Sequence, residues 1–398
     1  MFLGQPDYAR SQASDHCAIA GWQRRRTEVR AALNFDLSDE QALLRNLIEK
    51  FAGDRYDPAR RLGYVREPEG YCRKGWAVLA ETGVLAFPFA EEYGGFGGGS
   101  IELITVMEAM GKAVAVEPLL PAIILAGSLI EKAGTAEQKA HWLPRLSAGE
   151  AIAALAHGEH QARFNAQNIA TRATASGDSV RLNGAKQMVL GGSFADILAV
   201  SAVDESGTPG LFLVRSDAPG LGMRGYRMID GSTACDLTLS NVPAEQMAGG
   251  VATLDQVLRD ARLAISAELV GLMSMIFDAT LDYVKTRKQF GQAIGAFQAI
   301  QHRMADNYAS MELSRSQLYR AAATEADDPG REAAITGAKA YISAHAIALG
   351  EDAVQLHGGI GTTEELMVGQ AFKRVMLLAS LLGDSDWELR RYGSLVAA

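Results

Sequence analysis

An arginine, a phenylalanine and a glycine stand close together where one helical pattern ends and another begins. Arg287 lies near the end of the first helix, Phe290 and Gly291 form a turn, and the second helix begins near Ala293. The helix dipole favours a cation at a helix C-terminus, and the planar guanidinium of arginine also matches a pyrophosphate. The residues themselves leave two interpretations of Arg287 open: a phosphate ligand, or a surface cap on the helix.

Three other chemically suggestive patterns predict no site. The glycine-rich segment Gly94–Gly99 has no strand before it and no Gly-Lys-Ser/Thr after it, so we expect a flexible connection there. His157 and His160 are three residues apart on a strand-like segment and point to opposite faces, so no metal site is expected. The cysteines show no Cys-x-x-Cys spacing, which indicates reduced thiols in a cytoplasmic protein.

The patterning divides the chain into a helical part, a β part and a second helical part. Helical periodicity is followed by short alternating runs between turn residues, and then by long helical segments. Ser38 is the predicted N-cap of the first helix. The predicted α+β multidomain fold consists of a loosely attached arm at 1–34, an N-terminal helical domain at 35–150, a middle antiparallel β-barrel or sandwich at 151–248 and a C-terminal four-helix bundle at 249–398.

Charge and hydropathy exclude two classes of protein. The net charge is −9 and no basic stripe offsets it, so nucleic-acid binding is not expected. The most apolar stretch, Leu119–Ile130, contains a proline and a glycine and is shorter than the roughly 18 residues of a membrane span. It therefore predicts a core helix, and no membrane partner is expected.

Three blocks of the sequence resemble the acyl-CoA dehydrogenase family. The segment Tyr283–Asp306, YVKTRKQFGQAIGAFQAIQHRMAD, is similar to the family pattern at many positions of fixed spacing. Gln355–Gly361, QLHGGIG, matches the family's Q-x-x-G-G-x-G stretch, and Phe87–Gly97 looks like its N-domain loop. Together with the order of helical and β parts, the resemblance covers about residues 36–390.

The resemblance implies FAD bound non-covalently at a subunit interface. The residues that it assigns to the ADP half of FAD are Arg287, Phe290, Gln298, Gln355, Gly358 and Gly359, with the last three contributed from across a dimer. It places Arg262 against the CoA phosphates or the nucleotide. The implied reaction is α,β-desaturation of an acyl-CoA thioester, with an electron-transfer flavoprotein or a similar acceptor. The implied assembly is a homodimer, a homotetramer or a heterotetramer with a homologous subunit.

The sequence departs from the family pattern where the catalytic carboxylate usually stands. The base that removes the α-proton precedes the glycine of an E-G-T motif, and that position here is Leu382. In a second branch the base precedes a family arginine, and that position is Ala261. The segments that flank the flavin ring also differ, although Glu159 and Lys186 are retained.

Three interpretations of the missing base stay open. A partner subunit brings the carboxylate, as in the small subunits of pimeloyl-CoA-type and steroid-side-chain dehydrogenases, which this sequence resembles. Alternatively, Asp384 or Asp260 serves as a displaced base, although both aspartates also fit helix-end caps or solvent-facing charges. In the third interpretation the chain is a non-catalytic structural or FAD-binding subunit. An acyl-CoA oxidase-like flavoprotein is a further alternative, because sequence does not show solvent access to the flavin.

Overall fold

The computed structural model describes residues 37–176 and 179–397. The predicted arm at 1–34 lies outside the described residues. The first helix, α1, spans Asp39–Arg55. Ser38 precedes it as predicted, and its hydroxyl accepts a hydrogen bond from the Gln41 backbone N–H at 3.2 Å. The Gln41 side chain accepts one from the Ser38 N–H at 2.9 Å, which completes a capping box.

Within residues 37–150, five further α-helices precede the β part. They are α2 (Pro58–Arg66), α3 (Arg73–Glu81), α4 (Ser100–Lys112), α5 (Ser128–Ala133) and α6 (Ala136–Ser147). A π-helical segment, Leu120–Gly127, leads directly into α5 and is almost wholly buried. Pro121 is tolerated there because it lies in the first turn, where no intrahelical N–H bond is lost. The apolar stretch predicted as a core helix is therefore a core segment, with the wider π-helical winding.

In the part of the chain that the structure describes, seven strands form one mixed sheet that closes on itself. They are β1 (Ala153–Ala156), β2 (Arg172–Ser176), β3 (Ser179–Leu190), β4 (Ile197–Val203), β5 (Pro209–Arg215), β6 (Leu221–Arg227) and β7 (Thr233–Gly250). The pairings β4–β2, β2–β3, β3–β7, β7–β5 and β5–β4 form a closed ring of five strands. The predicted barrel is confirmed, but β1–β4 and β2–β4 are parallel pairs, so the sheet is not purely antiparallel.

Long helices form the C-terminal part. They are α7 (Val251–Thr286), α8 (Gln298–Ala323), α9 (Arg331–His357), α10 (Met367–Ser380) and the shorter α11 (Ser385–Val396). A two-residue hairpin, β8 (Lys288–Gln289) and β9 (Gln292–Ala293), joins α7 to α8. By length and composition α7 could cross a membrane, but 83% of its most apolar window is buried inside the protein. It is the central core helix.

Two glycines allow α4 and α7 to cross closely. A Cβ on Gly111 would lie 2.1 Å from the backbone oxygen of Glu268, and one on Gly271 would lie 2.0 Å from that of Glu108. Only glycine permits such an approach of two backbones. The crossing fixes α7, and therefore the side chains that α7 presents to the β part, relative to the N-terminal helices.

Candidate functional site

The end of α7 and the hairpin that follows display the predicted nucleotide ligands. Arg287 caps the helix, with its backbone N–H donating to the Tyr283 carbonyl at 2.8 Å. Phe290 and Gly291 both have positive φ, 53° and 82°, as a type I′ hairpin turn requires. Phenylalanine rarely adopts this conformation, and it turns the Phe290 ring outward, where 91% of the residue is exposed.

The second sequence block lies beside this turn. Tyr283, one helical turn before Arg287, stacks on His357 at 4.3 Å between ring centroids, and its hydroxyl donates to the His357 carbonyl at 3.3 Å. Gly358 follows α9 with φ 68°, and a Cβ on either Gly358 or Gly359 would meet open space. The chain thus brings Arg287 and the Gly358–Gly359 backbone to the same end of the C-terminal helices.

All six predicted ADP-binding residues are exposed at this end. The remaining two are Gln355, on the last turn of α9, and Gln298, the first residue of α8. A guanidinium, two amides, a free aromatic ring and bare glycine backbone suit a phosphate and a flat base. They fit the nucleotide half of a dinucleotide. A base stacked on the exposed Phe290 ring would bury apolar surface that is now in contact with water.

A separate cavity of about 130 Å³ lies where the β part meets α7 and the α10–α11 turn. Its apolar wall contains Pro121, Leu125, Leu155, Leu190, Leu258, Leu381 and Leu382. Its polar lining consists of His157, Arg163, Asn165, Gln187 and Arg262. None of the residues that line it is an aspartate or a glutamate. The cavity is also smaller than the roughly 300–1,000 Å³ of ordinary cofactor and ligand sites.

A buried ion pair anchors the two β-part segments beside the cavity. Lys186 Nζ lies 2.6 Å from Glu159 Oε1, and the two side chains are 0% and 3% exposed. Glu159 also accepts hydrogen bonds from the backbone N–H groups of Ala170 and Thr171 and from the Thr171 hydroxyl. Burial would raise the pKa of Glu159, but the hydrogen bonds from Lys186, Gln161 and Thr171 lower it to about 2. Glu159 is therefore a structural anion.

Burial lowers the pKa values of two basic groups at this ion pair, Lys186 and His157. Burial lowers the pKa of Lys186 to about 8, although Glu159 opposes the shift. His157 Nδ1 lies 2.8 Å from the Ser201 hydroxyl, which also accepts from Lys186 at 3.0 Å. Burial and the charge of Lys186 lower the pKa of His157 to about 4. At neutral pH His157 is uncharged and faces the cavity as a neutral imidazole.

The turn between α10 and α11 forms the opposite wall, with unusual backbone geometry. Leu382 has φ 59° and Gly383 has φ 136°, so leucine stands in a conformation that favours glycine. Arg262 Nε donates to the Leu382 carbonyl at 3.2 Å, and Lys339 Nζ donates to the Gly383 carbonyl at 3.0 Å. Two buried cations thus hold this turn in place.

The candidate bases lie outside the cavity lining. Asp384 is the N-cap of α11, accepting from the Trp387 backbone N–H at 2.8 Å, and its second oxygen lies 3.5 Å from Arg163. Asp260 lies 3.6 Å from Arg331. Ala261, the second expected base position, is fully buried and is not among the lining residues. Asp384 is thus a helix cap, and both aspartates face an arginine, as structural carboxylates do.

Aromatic and charged side chains border the cavity. The Phe164 ring lies 5.7 Å from the Trp387 ring, and the Arg163 guanidinium stands 5.2 Å from the Phe164 ring. Arg163 has φ 48°, another conformation that costs energy for a residue with a Cβ. These contacts join the segment after β1 to α11 beside the cavity.

Sequence reasoning missed two buried charges beside the turn. Lys339, on α9, and Glu388, on α11, are both fully buried. Glu388 Oε1 accepts from Arg262 Nε at 2.8 Å. The apolar residues around Lys339 in the sequence could have predicted that this lysine is buried. A buried lysine needs oxygen partners, so they could also have predicted a polar contact there. No local pattern marks Glu388, since its partner is more than a hundred residues away.

Comparisons with known proteins agree with this architecture. Family models described as the N-terminal, middle and C-terminal domains of acyl-CoA dehydrogenase match residues 38–150, 154–242 and 248–394. A probable acyl-CoA dehydrogenase of Bacillus subtilis, YngJ, is 30% identical over 90% of this chain and 98% of its own length. The resemblance covers all three parts of the fold.

Solved structures of high similarity include two that name paired subunits. The "Tcur3481-Tcur3483 steroid ACAD" is 32% identical with a TM-score of 0.83, covering 90% of this chain and 98% of the other. The ChsE4–ChsE5 complex of Mycobacterium tuberculosis is 25% identical, with a TM-score of 0.84 and coverage of 92% and 99%. PigA, solved with FAD and proline, has the same identity, TM-score and coverage as ChsE4–ChsE5. On the strength of the three matching domains and these relatives, the chain belongs to the acyl-CoA dehydrogenase family.

Proposed function

We propose that this chain binds the nucleotide half of FAD and acts in the α,β-desaturation of an acyl-CoA thioester together with a homologous subunit that supplies the catalytic base. One observation carries the proposal. The cavity that contains the expected base position, Leu382, has no carboxylate in its lining, while the exposed nucleotide residues around Arg287 are intact. This chain thus keeps the nucleotide half of a shared site, around Arg287, while the other half, the cavity lined by Leu382, is changed.

The desaturation requires a group that takes the α-proton while two electrons leave as hydride. Bound FAD would supply the electron acceptor. The base must be a carboxylate placed near the substrate and tuned to work near neutral pH. The ionisable residues of the cavity are Arg163, Arg262 and His157, and the His157 pKa of about 4 makes it too weak a base for an α-proton. The cavity of this chain therefore contains no suitable base for removal of the α-proton.

Asp384 remains the sequence-based candidate for a displaced base, and its surroundings favour a structural role. Its Oδ1 satisfies a helix N-terminus and its Oδ2 faces the exposed Arg163. Both oxygens of Asp384 are therefore engaged in contacts that hold the start of α11 and face Arg163. We therefore assign the base to the partner subunit and the cap to Asp384.

The changed half also fits poorly around a flavin ring. The cavity has a volume of only about 130 Å³, and Phe164, one of its lining residues, packs against Trp387 of α11. The exposed nucleotide residues lie on the outer end of the helices and do not need this cavity. Because Gln355 and Arg287 lie at the same end of one chain, we assign them to one nucleotide site and not, as the family resemblance implied, to opposite sides of a dimer. In the proposed assembly, Arg287, Phe290 and Gln355 of this chain would bind the nucleotide of an FAD whose ring lies in the partner.

Paired subunits in the Tcur3481–Tcur3483 and ChsE4–ChsE5 structures support a heteromeric assembly for this chain. We propose a heterotetramer with a homologous subunit, with electrons passing to an electron-transfer flavoprotein or a similar acceptor. The proposal includes a cytoplasmic location, where thiols such as the unpaired Cys72 and Cys235 stay reduced.

The test is to purify the chain alone and with the homologous subunit that copurifies with it from the native host. Bound flavin per chain and anaerobic bleaching by a panel of acyl-CoAs are measured for both samples. The expected result is little flavin and no bleaching for the chain alone, with both restored in the complex. A flavin-saturated chain that is bleached by an acyl-CoA without any partner would contradict the proposal.

A matched pair of variants tests the nucleotide half. Arg287→Ala should lower flavin retention by the complex at least tenfold, because a charge-assisted bond to phosphate is lost. Lys288→Ala removes a neighbouring exposed charge and should leave flavin retention unchanged. Equal retention in the two variants would remove Arg287 from the site.

A further inference from the structure

The guanidinium of Arg262 is buried and borders the cavity. Its side chain is 7% exposed, and it is one of the lining residues. Its Nε donates both to Glu388 Oε1 at 2.8 Å and to the Leu382 carbonyl at 3.2 Å. Both terminal nitrogens are left without a hydrogen-bond partner among the described residues. A buried arginine with unused donors beside a cavity is poised to bind an acceptor there.

The buried charges around this arginine do not balance. Arg262 is positive and Glu388 is negative, and Lys339 leaves one positive charge in excess whenever it is protonated, below a pKa of about 7. Lys339 Nζ donates to the Ser343 hydroxyl and to backbone carbonyls, and its hydrogen bonds within the described chain include no carboxylate. The nearby Asp384 is partly exposed and caps α11, while Arg391, 3.7 Å from Glu388, adds positive charge.

An unbalanced buried charge is costly, and an anion in the cavity would offset it. Burial, with a smaller effect from the charge of Arg262, lowers the pKa of Lys339 to about 7, although Glu388 and Asp384 oppose the shift, so Lys339 is partly neutral at pH 7 and Arg262 is the permanent buried cation. No group in the cavity lining would repel an anion, since the lining contains no carboxylate. The neutral His157 imidazole leaves Arg262 as the buried cation that faces the space.

The size and walls of the cavity define the rest of the ligand. Six of the seventeen lining residues are leucines, among them Leu125, Leu155 and Leu258, and they form much of the apolar wall. The volume of about 130 Å³ is close to that of an engineered apolar cavity in another protein, of roughly 150 Å³, which binds benzene. A ligand of about six non-hydrogen atoms therefore fills it, by comparison with benzene.

We propose that this cavity is a binding site for a short-chain carboxylate, with the carboxylate held by the terminal nitrogens of Arg262 and the alkyl chain against the leucine wall. The site does not depend on the desaturation proposed above, because it uses neither flavin nor CoA. The lining of this cavity contains no carboxylate, and in the proposed site the ligand supplies the negative charge.

The experiment is calorimetric titration of the full chain with butyrate and with butyramide, which has nearly the same shape and no charge. Butyrate should bind at least about tenfold more tightly, because only it forms charge-assisted hydrogen bonds with Arg262. Equal binding of the two compounds, or no butyrate binding at millimolar concentration, would overturn the proposal.

Two variants locate the site. The double variant Arg262→Gln/Glu388→Gln removes the arginine without leaving Glu388 as an unpaired buried charge, and it should lose the preference for butyrate. Arg259→Gln changes an arginine of the same helix that faces Glu332 at 3.6 Å, away from the cavity, and should keep that preference. A preference that persists in the double variant places the carboxylate elsewhere and refutes the assignment.

A third variant keeps the test decisive if the double variant does not fold. Leu382→Glu puts a carboxylate on the cavity wall beside Arg262, so it should abolish butyrate binding while the protein stays folded. Unchanged butyrate affinity in folded Leu382→Glu protein would show that butyrate binds outside this cavity.

Discussion

Substitution of Glu159 by glutamine tests how the β-part segments beside the cavity are held. The change removes the negative charge from a pair whose side chains are 3% and 0% exposed, while it keeps the shape of the side chain. Lys186 is then a buried cation whose acceptors, the Ser201 hydroxyl, the His157 carbonyl and the amide oxygen of the new glutamine, are all uncharged. Breaking a buried pair in this way costs about 3–5 kcal/mol of unfolding free energy.

The pH dependence identifies the cause of the loss. In the wild type the Lys186 pKa is about 8, so at pH 7 the lysine carries its proton both folded and unfolded. Without Glu159 the folded pKa falls further, toward the values below 7 known for unpaired buried lysines. The unfolded chain then binds more protons than the folded one, and the stability of Glu159→Gln rises with pH by about 1.4 kcal/mol per unit.

The assay is urea unfolding of the wild type and Glu159→Gln at pH 7.0, 7.5 and 8.0. The difference in unfolding free energy between the two proteins should narrow by about 1 kcal/mol across this range. Lys186→Met and the double variant complete a cycle, in which the double variant should lose less than the sum of the single losses. Additive losses together with a gap that is constant with pH would refute the ion-pair explanation.

Three further predictions follow from buried or exposed groups. Asp384→Asn should keep the activity of the complex and the thermal stability, because asparagine caps a helix as well as aspartate does. Asp384→Ala should lose about 1 kcal/mol of stability in thermal unfolding. Loss of activity in Asp384→Asn would indicate that Asp384 acts as the base. Lys339→Met should reduce the rise in stability between pH 7 and roughly 10, the window between the folded Lys339 pKa of about 7 and the unfolded value, and should leave the part that Lys186 contributes above its own folded pKa of about 8. Urea unfolding as a function of pH measures the reduction, and a rise of unchanged size would exclude Lys339 as one of its sources. Phe290→Ala should leave thermal stability within about 0.5 kcal/mol, since surface side chains contribute little, but lower flavin retention by the complex; retained flavin would show that the ring lies outside the nucleotide site.

The sequence was sufficient for the features that rest on local patterns. Ser38 capped its helix as predicted because a capping box is a contact between residues three apart. The barrel followed from short alternating runs, and the turn at Phe290–Gly291 followed from a glycine between two helical segments. The parallel β1–β4 pairing was not predictable in this way, since it joins strands more than forty residues apart.

The family and the nucleotide-binding residues were also visible in the sequence, because they lie in continuous blocks with fixed spacing. Family membership was confirmed by all three domain models. The roles of the individual residues stay predictions. The structure adds that Arg287 and Gly358 meet at one end of the helices through the Tyr283–His357 stack, a contact between residues 74 positions apart in the chain.

The sequence by itself determined the fold, the nucleotide blocks and the absence of a carboxylate at Leu382 and Ala261. Only the tertiary structure decided what surrounds those two positions. It brings Arg262, Lys339 and Glu388 together from three different helices, buries all three and aims the arginine at a small apolar cavity. The physical reason is that a charge balance depends on distance and burial, and neither is a property of a residue's neighbours along the chain.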